Sequence, residues 1–242
     1  MKKTLGLIVA RGGSKGIPKK NLYPVCGVPL IKYTIETSSY ANNLSEVILS
    51  TDDEEIAKVS SEFGCKVPFL RPKELSEDNS TIIPVIQHAI EFMEQKNNYF
   101  DAVMLLQPTN PLRTTSDIDG SVNLLSNGDC DSVISLVKVE DHHPARMKLI
   151  DKEGFLLDPP YATEKFDQPR QAFSDVFLRN GAIYLSNVDL IKKKGSLMGD
   201  KCKPWLIPRE RAVNIDDLFD VFIVEQLLKS DLEGLSQVIR MK

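Results

Sequence analysis

Short, nearly unbroken apolar runs punctuate the first half of the chain, and each is followed by a stretch with helical spacing. Residues 5–10 (LGLIVA) make a run of strand length that stops at Arg11. A Gly-, Lys- and Pro-rich loop follows, then a helical pattern over about 29–40. Residues 46–51 (EVILST) predict a second strand, with Asp52 and Asp53 placed to cap a helix that ends near Gly64. A third short strand is expected at 66–70, and a helix opening at Ser80 or Thr81 with apolar Val85, Ile86, Ala89, Ile90 and Met93 on one face. Strands at 102–106 and 132–137 bracket a helix that starts at Ser116 and runs to about Ser126.

Strands separated by helices of this length require crossover connections. The expected fold is therefore α/β, a Rossmann-like, mostly parallel sheet with helices on both faces. Ligands of such sheets sit beyond the carboxyl ends of the strands. Three polar segments fall there: 11–21, 51–53 and 107–113. Past Val139 the alternation breaks into a charged, proline-containing stretch, read as an antiparallel excursion or arm at about 140–175. A strand resumes at 180–186, and a final amphipathic helix is expected from Asp216 to about Leu228. The whole chain, 1–242, reads as a single domain carrying that arm.

With 242 residues, 42% of them apolar, a full core needs no covalent staples. The net charge of -4 argues against nucleic-acid binding through bulk electrostatics. Cys26, Cys65, Cys130 and Cys202 show no zinc or redox spacing, which suits a reducing compartment. No stretch approaches the roughly 20 apolar residues of a membrane span. The expectation is a cytoplasmic protein with no membrane partner.

The loop after the first strand is the richest in chemistry. Arg11-Gly12-Gly13-Ser14-Lys15-Gly16 puts three glycines among cationic groups, so backbone N–H groups can converge on an anion, and Lys19 and Lys20 extend the basic run to Asn21. It is not a P-loop, because Pro18 follows and the helix starts later. On residue types alone, an ordinary surface turn with solvated lysines fits as well; the position after the first strand of a parallel sheet favours the anion site.

This segment resembles the N-terminal signature of the acylneuraminate cytidylyltransferases, the CMP-sialic acid synthetase family. Later blocks agree in order: Ser50-Thr51-Asp52, Arg71-Pro72 with Glu74-Leu75, Gln107-Pro108-Thr109-Asn110-Pro111-Leu112-Arg113, His142-His143-Pro144, Gln168-Pro169-Arg170-Gln171 and Asn180-Gly181-Ala182-Ile183-Tyr184. The resemblance implies the nucleotide-diphospho-sugar transferase fold, CTP and a 2-keto sugar acid as substrates, Mg²⁺ as cofactor and a homodimer formed through the arm. The acid is expected to be a nonulosonic (sialic-type) acid; legionaminate, pseudaminate or octulosonate, or a non-catalytic nucleotide-binding relative, are the alternatives.

By the same resemblance, Arg11, Lys15 and Asp216 are catalytic. Ala10, Arg11, Gly12, Gly13, Ser14, Lys15, Asn21, Arg71, Ser80 and Thr81 bind nucleotide. Gln107, Thr109, Asn110, Arg170 and Arg179 bind the sugar acid, Arg170 across the dimer interface, and Asp216 with Asn214 holds the metal. Plainer roles stand beside several of these: a loop-holding surface arginine for Arg71, a helix cap for Ser80, a loop-holding role for Arg113, and capping of the last helix by Asp216 and Asp217. Adjacent His142 and His143 invite a metal or base role, yet neighbouring side chains diverge on any regular element. The chain departs from the common pattern at Asn110 (Ser in the usual form), Asn214 (Asp in many relatives) and Arg146 (Lys in relatives).

Overall fold

The computed structural model describes residues 2–14, 16–77, 79–161 and 173–230. β1 (Thr4–Val9) lies inside the sheet and leads into the glycine loop. A small hairpin of β2 (Pro24–Val25) and β3 (Val28–Pro29) follows, its turn made by Cys26 and Gly27, both at positive φ (48° and 77°). Next come α1 (Leu30–Ser39), β4 (Glu46–Ser50) and α2 (Glu54–Glu62), the last capped by Asp53, whose carboxylate accepts the Ile56 N–H at 2.9 Å. α3 (Ile82–Gln95), β5 (Ala102–Leu106), α4 (Thr115–Ser126) and β6 (Ser132–Lys138) continue the alternation. β7 (Leu149–Ile150) and β8 (Leu156–Leu157) pair antiparallel in the excursion. β9 (Phe177–Asn187), α5 (Val188–Lys194), β10 (Cys202–Leu206) and α6 (Leu218–Lys229) complete the order.

The main sheet runs β10-β6-β9-β5-β1-β4. β4, β1 and β5 are parallel, as are β6 and β10; β9 slots between β5 and β6 and runs antiparallel to both. The two-residue period of the strands divides the core. Ala102, Met104 and Leu106 pack with Ile31 and Ile35 of α1, Ile56 of α2 and Ile118, Val122 and Leu125 of α4. Val103 and Leu105 face the other way, onto Ile86, Ala89, Ile90 and Met93 of α3 and Ile191 of α5. Helices therefore cover both faces, as the pattern of apolar runs requires.

The structure corrects the reading of the chain at several places. The segment at 66–70 makes only two isolated bridges, Ile48 to Lys66 and Thr51 to Leu70; Pro68 in its middle has no N–H for a ladder. The final helix starts at Leu218, not Asp216, and its cap is Asp217, which accepts from the Phe219 and Asp220 N–H groups while the Asp220 carboxylate accepts the Asp217 N–H in return. α4 begins at Thr115, one residue before Ser116, behind a reciprocal capping box of Thr114 and Asp117. β10 and α5 were not anticipated. Pro204 argues against a strand in general, but β10 is the sheet edge, where a missing donor is tolerated.

A third apolar cluster sits away from the sheet faces. Ile17, Leu112 and Ile215, all fully buried, come from three separate loops and pack with Val25, Leu30, Tyr33, Val221 and Val224. The Ile215 N–H donates to the Thr109 carbonyl at 2.8 Å, tying the 214–216 segment to the loop after β5.

Asp117 anchors the stretch leading into that segment. It is buried, and its carboxylate accepts from the Arg211 guanidinium and from Trp205 Nε1 (3.0 Å). Burial by itself would raise its pKa, but the hydrogen bonds and charge of Arg211, with help from Thr114 and Trp205, hold it below the usual carboxylate range. A lowered folded-state pKa stabilises fully above the unfolded value of about 4 and is lost as pH falls through the folded value. Asp117→Asn should flatten the fall in unfolding free energy between about pH 5 and 3 in urea titrations; an unchanged slope would mean that Asp117 does not drive acid loss.

Candidate active site

β1 and β5 deliver two polar loops to the same end of the sheet, and a cleft of about 590 Å³ opens between them. From the glycine loop it is lined by Ala10, Arg11, Ser14, Gly16, Lys20 and Asn21. Arg71, Ser76, Glu77, Ser80 and Thr81 line it from the connection into α3, Gln107, Pro108 and Thr109 from the loop after β5, and Asp216 from the segment before α6. Ten expected residues thus meet in one place: Ala10, Arg11, Ser14, Asn21, Arg71, Ser80, Thr81, Gln107, Thr109 and Asp216. Gly12 and Gly13 belong to the same loop without lining the cleft, and Lys15 and Arg170 lie outside the described residues.

The loop is braced from inside. Asn21, buried, donates its side-chain amide to the Arg11 carbonyl at 3.0 Å. A Cβ on Gly16 would stand 2.4 Å from the Asp216 carbonyl oxygen, so only glycine lets the loop lie against the 214–216 segment. The two lysines at 19 and 20 separate: Lys19 turns to Glu55 of α2 (2.5 Å), whereas Lys20 enters the cleft and bonds both the Ile215 carbonyl and Asp216 Oδ1 at 3.0 Å. Lys20 was not singled out from its neighbours in the sequence, because adjacent lysines look alike until the backbone turns between them.

Arg71 is no surface arginine. Its side chain is 2% exposed, and it donates to Ser76 Oγ (2.8 Å), to the Ser50 carbonyl (3.3 Å) and to Asp52 Oδ1 (3.3 Å). Burial lowers its pKa from the ordinary value, while Asp52 pulls it back up. Ser80 does not cap α3; its hydroxyl donates to the Glu74 carbonyl at 2.7 Å, and Thr81, the residue ahead of the helix, makes no side-chain cap bond. Both residues line the cleft.

Residues 5–151 match the cytidylyltransferase family. The chain belongs to that family. It is 31% identical to the CMP-N,N'-diacetyllegionaminic acid synthase of Legionella pneumophila over 96% of this chain and 98% of that protein. It is 29% identical to the pseudaminic acid cytidylyltransferase of Campylobacter jejuni over 96% and 99% of the two chains. The N-acylneuraminate cytidylyltransferase A of Danio rerio is 36% identical over 91% of this chain and 49% of its own length. A CMP:2-keto-3-deoxy-manno-octonic acid synthetase structure complexed with CTP has the same fold, with a TM-score of 0.70 at 18% identity, covering 95% of this chain and 100% of that one.

In this cytidylyltransferase a second cavity, of about 360 Å³, adjoins the cleft through Gln107, which lines both. Arg179, Asn180, Gly181, Tyr184 and Asn214 complete its polar wall. Asn110 does not line either space, contrary to the sugar-contact role expected of it. It is buried, and its amide donates to Asn214 Oδ1 (3.1 Å) and Thr109 Oγ1 (3.4 Å), so it holds the wall from behind. Arg113 is wholly buried as well. It donates to the Ala182 and Gln107 carbonyls (2.6 and 2.8 Å) and to Thr34 Oγ1 (3.3 Å), and burial lowers its pKa to about 10. It serves its loop and β9, as the plainer reading has it.

The expected metal pair stays in contact but borders two different spaces. Asp216 faces the cleft, 72% exposed at its side chain, while Asn214 lines the second cavity. Asn214 turns its NH₂ to Asp216 Oδ2 (2.6 Å) and its carbonyl oxygen to Asn110. No group of three His, Cys, Asp or Glu residues is placed to hold a metal among the described residues. The His143 ring is held on three sides: Nδ1 accepts from the Ala145 N–H, Nε2 meets the Ser174 carbonyl at 3.1 Å, and the ring stacks on Phe173.

Gly181 sits at φ 80°, and a Cβ there would come within 2.9 Å of Gln107 Oε1. Gly181→Ala combines a left-handed backbone with displacement of Gln107. It should raise KM for the sugar substrate about tenfold or more while KM for nucleotide moves less than threefold, on the scale of one or two lost hydrogen bonds. Steady-state kinetics with each substrate varied in turn checks this.

Proposed function

We propose that the chain transfers CMP from CTP to a nonulosonic acid, releasing pyrophosphate. The observation that carries this reading is the convergence of Arg11, Lys20, Asn21, Arg71 and Asp216 on one cleft at the carboxyl end of β1, beside a second cavity that shares Gln107. The triphosphate would lie against the glycine loop, with the base toward Arg71, Ser80 and Thr81. The acid would occupy the second cavity, its carboxylate on Arg179, with Arg170 supplied from a partner copy. Membership of the cytidylyltransferase family supports the nucleotide, and the names of the bacterial relatives support an acid of the sialic, legionaminic or pseudaminic type.

The reaction proposed is an in-line transfer. The anomeric hydroxyl of the acid attacks the α-phosphorus; the new O–P bond forms as the bond to the bridging oxygen breaks, pyrophosphate leaves, and the hydroxyl proton passes to water. Negative charge builds on the α-phosphate and on the leaving group. Arg11, Lys15 and Lys20, with loop N–H groups, would stabilise that charge more than the ground state. Gln107, on the wall common to both spaces, would orient the acid toward the phosphate.

Asp216 fits a Mg²⁺ ion that arrives with the triphosphate, since Mg²⁺ is commonly held by one or two carboxylates together with substrate phosphates. Bound there, it would neutralise phosphate charge as a Lewis acid. Asn214 contributes little as it lies, because its amide hydrogens face Asp216. The homodimer belongs to the same proposal and is supported by the bare apolar side chains of the excursion, Ile150, Phe155 and Leu156, each at least 67% exposed. The cytoplasm fits four free cysteines, and no described helix is long and apolar enough to cross a membrane.

Purified protein incubated with each NTP, Mg²⁺ and a panel of 2-keto sugar acids should release pyrophosphate only with CTP and one or a few of the acids. Release with no combination of CTP and acid would overturn the reading. Asn214→Asp places a second carboxylate beside Asp216 and should lower the Mg²⁺ concentration for half-maximal rate about threefold to tenfold. A metal titration of the rate reads this, and an unchanged requirement would remove Asn214 from the metal site.

A further inference from the structure

Asp52 is absent from the lining of the cleft, yet it bonds two of the parts that shape it. Its Oδ1 accepts the Gly12 N–H and the Arg71 Nη2–H, both at 3.3 Å. Three further N–H donors of Arg71 go to neutral oxygens: Ser76 Oγ, the Ser50 carbonyl and, at 3.5 Å, the Ala10 carbonyl. Among the described residues, Asp52 is the carboxylate that meets this guanidinium, which is 2% exposed, and Asp52 is itself 21% exposed at its side chain. A buried cation deprived of its counter-charge is strongly driven to find another. The alternative anion in this cleft would be the triphosphate.

We propose that Asp52 is a positioning residue of the nucleotide cleft. Through Arg71 it keeps the guanidinium at the base end, and through Gly12 it fixes the register of the phosphate loop. This rests on the nucleotide reading of the cleft and adds a residue that never touches the nucleotide. Asp52 spends its acceptor on the Gly12 N–H, which leaves the phosphates to the residues that line the cleft, Arg11, Ser14 and Lys20. Two features of one ligand, base and triphosphate, are thereby held in fixed relation by a single carboxylate oxygen. The neighbouring Asp53 has a separate job, since its carboxylate caps α2.

Calorimetric titration of CTP with Mg²⁺ into the sugar-free protein tests this without turnover. Asp52→Ala should weaken CTP binding at least about tenfold, the scale of losing hydrogen bonds to a charged acceptor. Asp52→Asn keeps an oxygen acceptor for the Gly12 N–H but removes the counter-charge of Arg71, and should bind CTP more weakly than wild type and more tightly than Asp52→Ala. In steady state, Asp52→Ala should raise KM for CTP by a similar factor, with kcat and KM for the acid each within about threefold. Asp52→Ser, too short to reach both donors, gives the same readout where the alanine variant does not fold. Equal CTP affinity in wild type and the shortened variants would overturn the proposal, as would an Asp52→Asn variant that binds CTP as tightly as wild type. Failure of the wild type itself to bind CTP would overturn the nucleotide reading, and this proposal with it.

Discussion

The site depends on three apolar side chains that come from loops. Ile17, Leu112 and Ile215 are fully buried against one another's cluster, beside Leu30 and Tyr33 of α1 and Val221 and Val224 of α6. Each lies within a few residues of a polar group that faces the cleft: Lys20 and Asn21, Thr109, and Asp216. Burying an isoleucine or leucine removes apolar area from water worth roughly 1.5–3 kcal/mol per side chain. That gain offsets the entropy of ordering glycine- and proline-containing loops, which otherwise have few reasons to hold one shape. The polar groups inherit their positions from apolar neighbours that water cannot reach.

The cations divide by their partners. Arg113 and Arg71 are buried and donate to carbonyl and hydroxyl oxygens of several elements, so they organise the end of the sheet. Lys20 reaches the cleft and pairs with Asp216 across it. Lys19, one residue away, adopts a left-handed backbone (φ 50°) and faces α2. Position within the fold, rather than residue type, separates charge used for architecture from charge available to a phosphate.

Much of this was legible in the chain. The strand-helix alternation, the loop after β1 and the block at 107–113 pointed to the correct end of a mostly parallel sheet, because period-2 and period-3.6 patterning is written locally. The antiparallel β9 and the edge strand β10 were harder. β9 reads as any apolar strand, and its direction is set by where the chain returns after the excursion. Asn110 shows the limit on the site: it stands inside the motif expected to face the sugar, yet its side chain turns inward to Asn214.

Local sequence alone determined the element types, the end of the sheet that carries the chemistry and the residue classes present there. Apolar periodicity, glycine spacing and capping residues act over a few positions. Only the tertiary structure decided which of two adjacent lysines enters the cleft, that Asp217 caps α6 while Asp216 stays in the cleft, and that Asp52 grips Arg71 and Gly12 together. Those outcomes depend on contacts between residues far apart in sequence, where burial and hydrogen-bond partners are supplied by elements that no local pattern names.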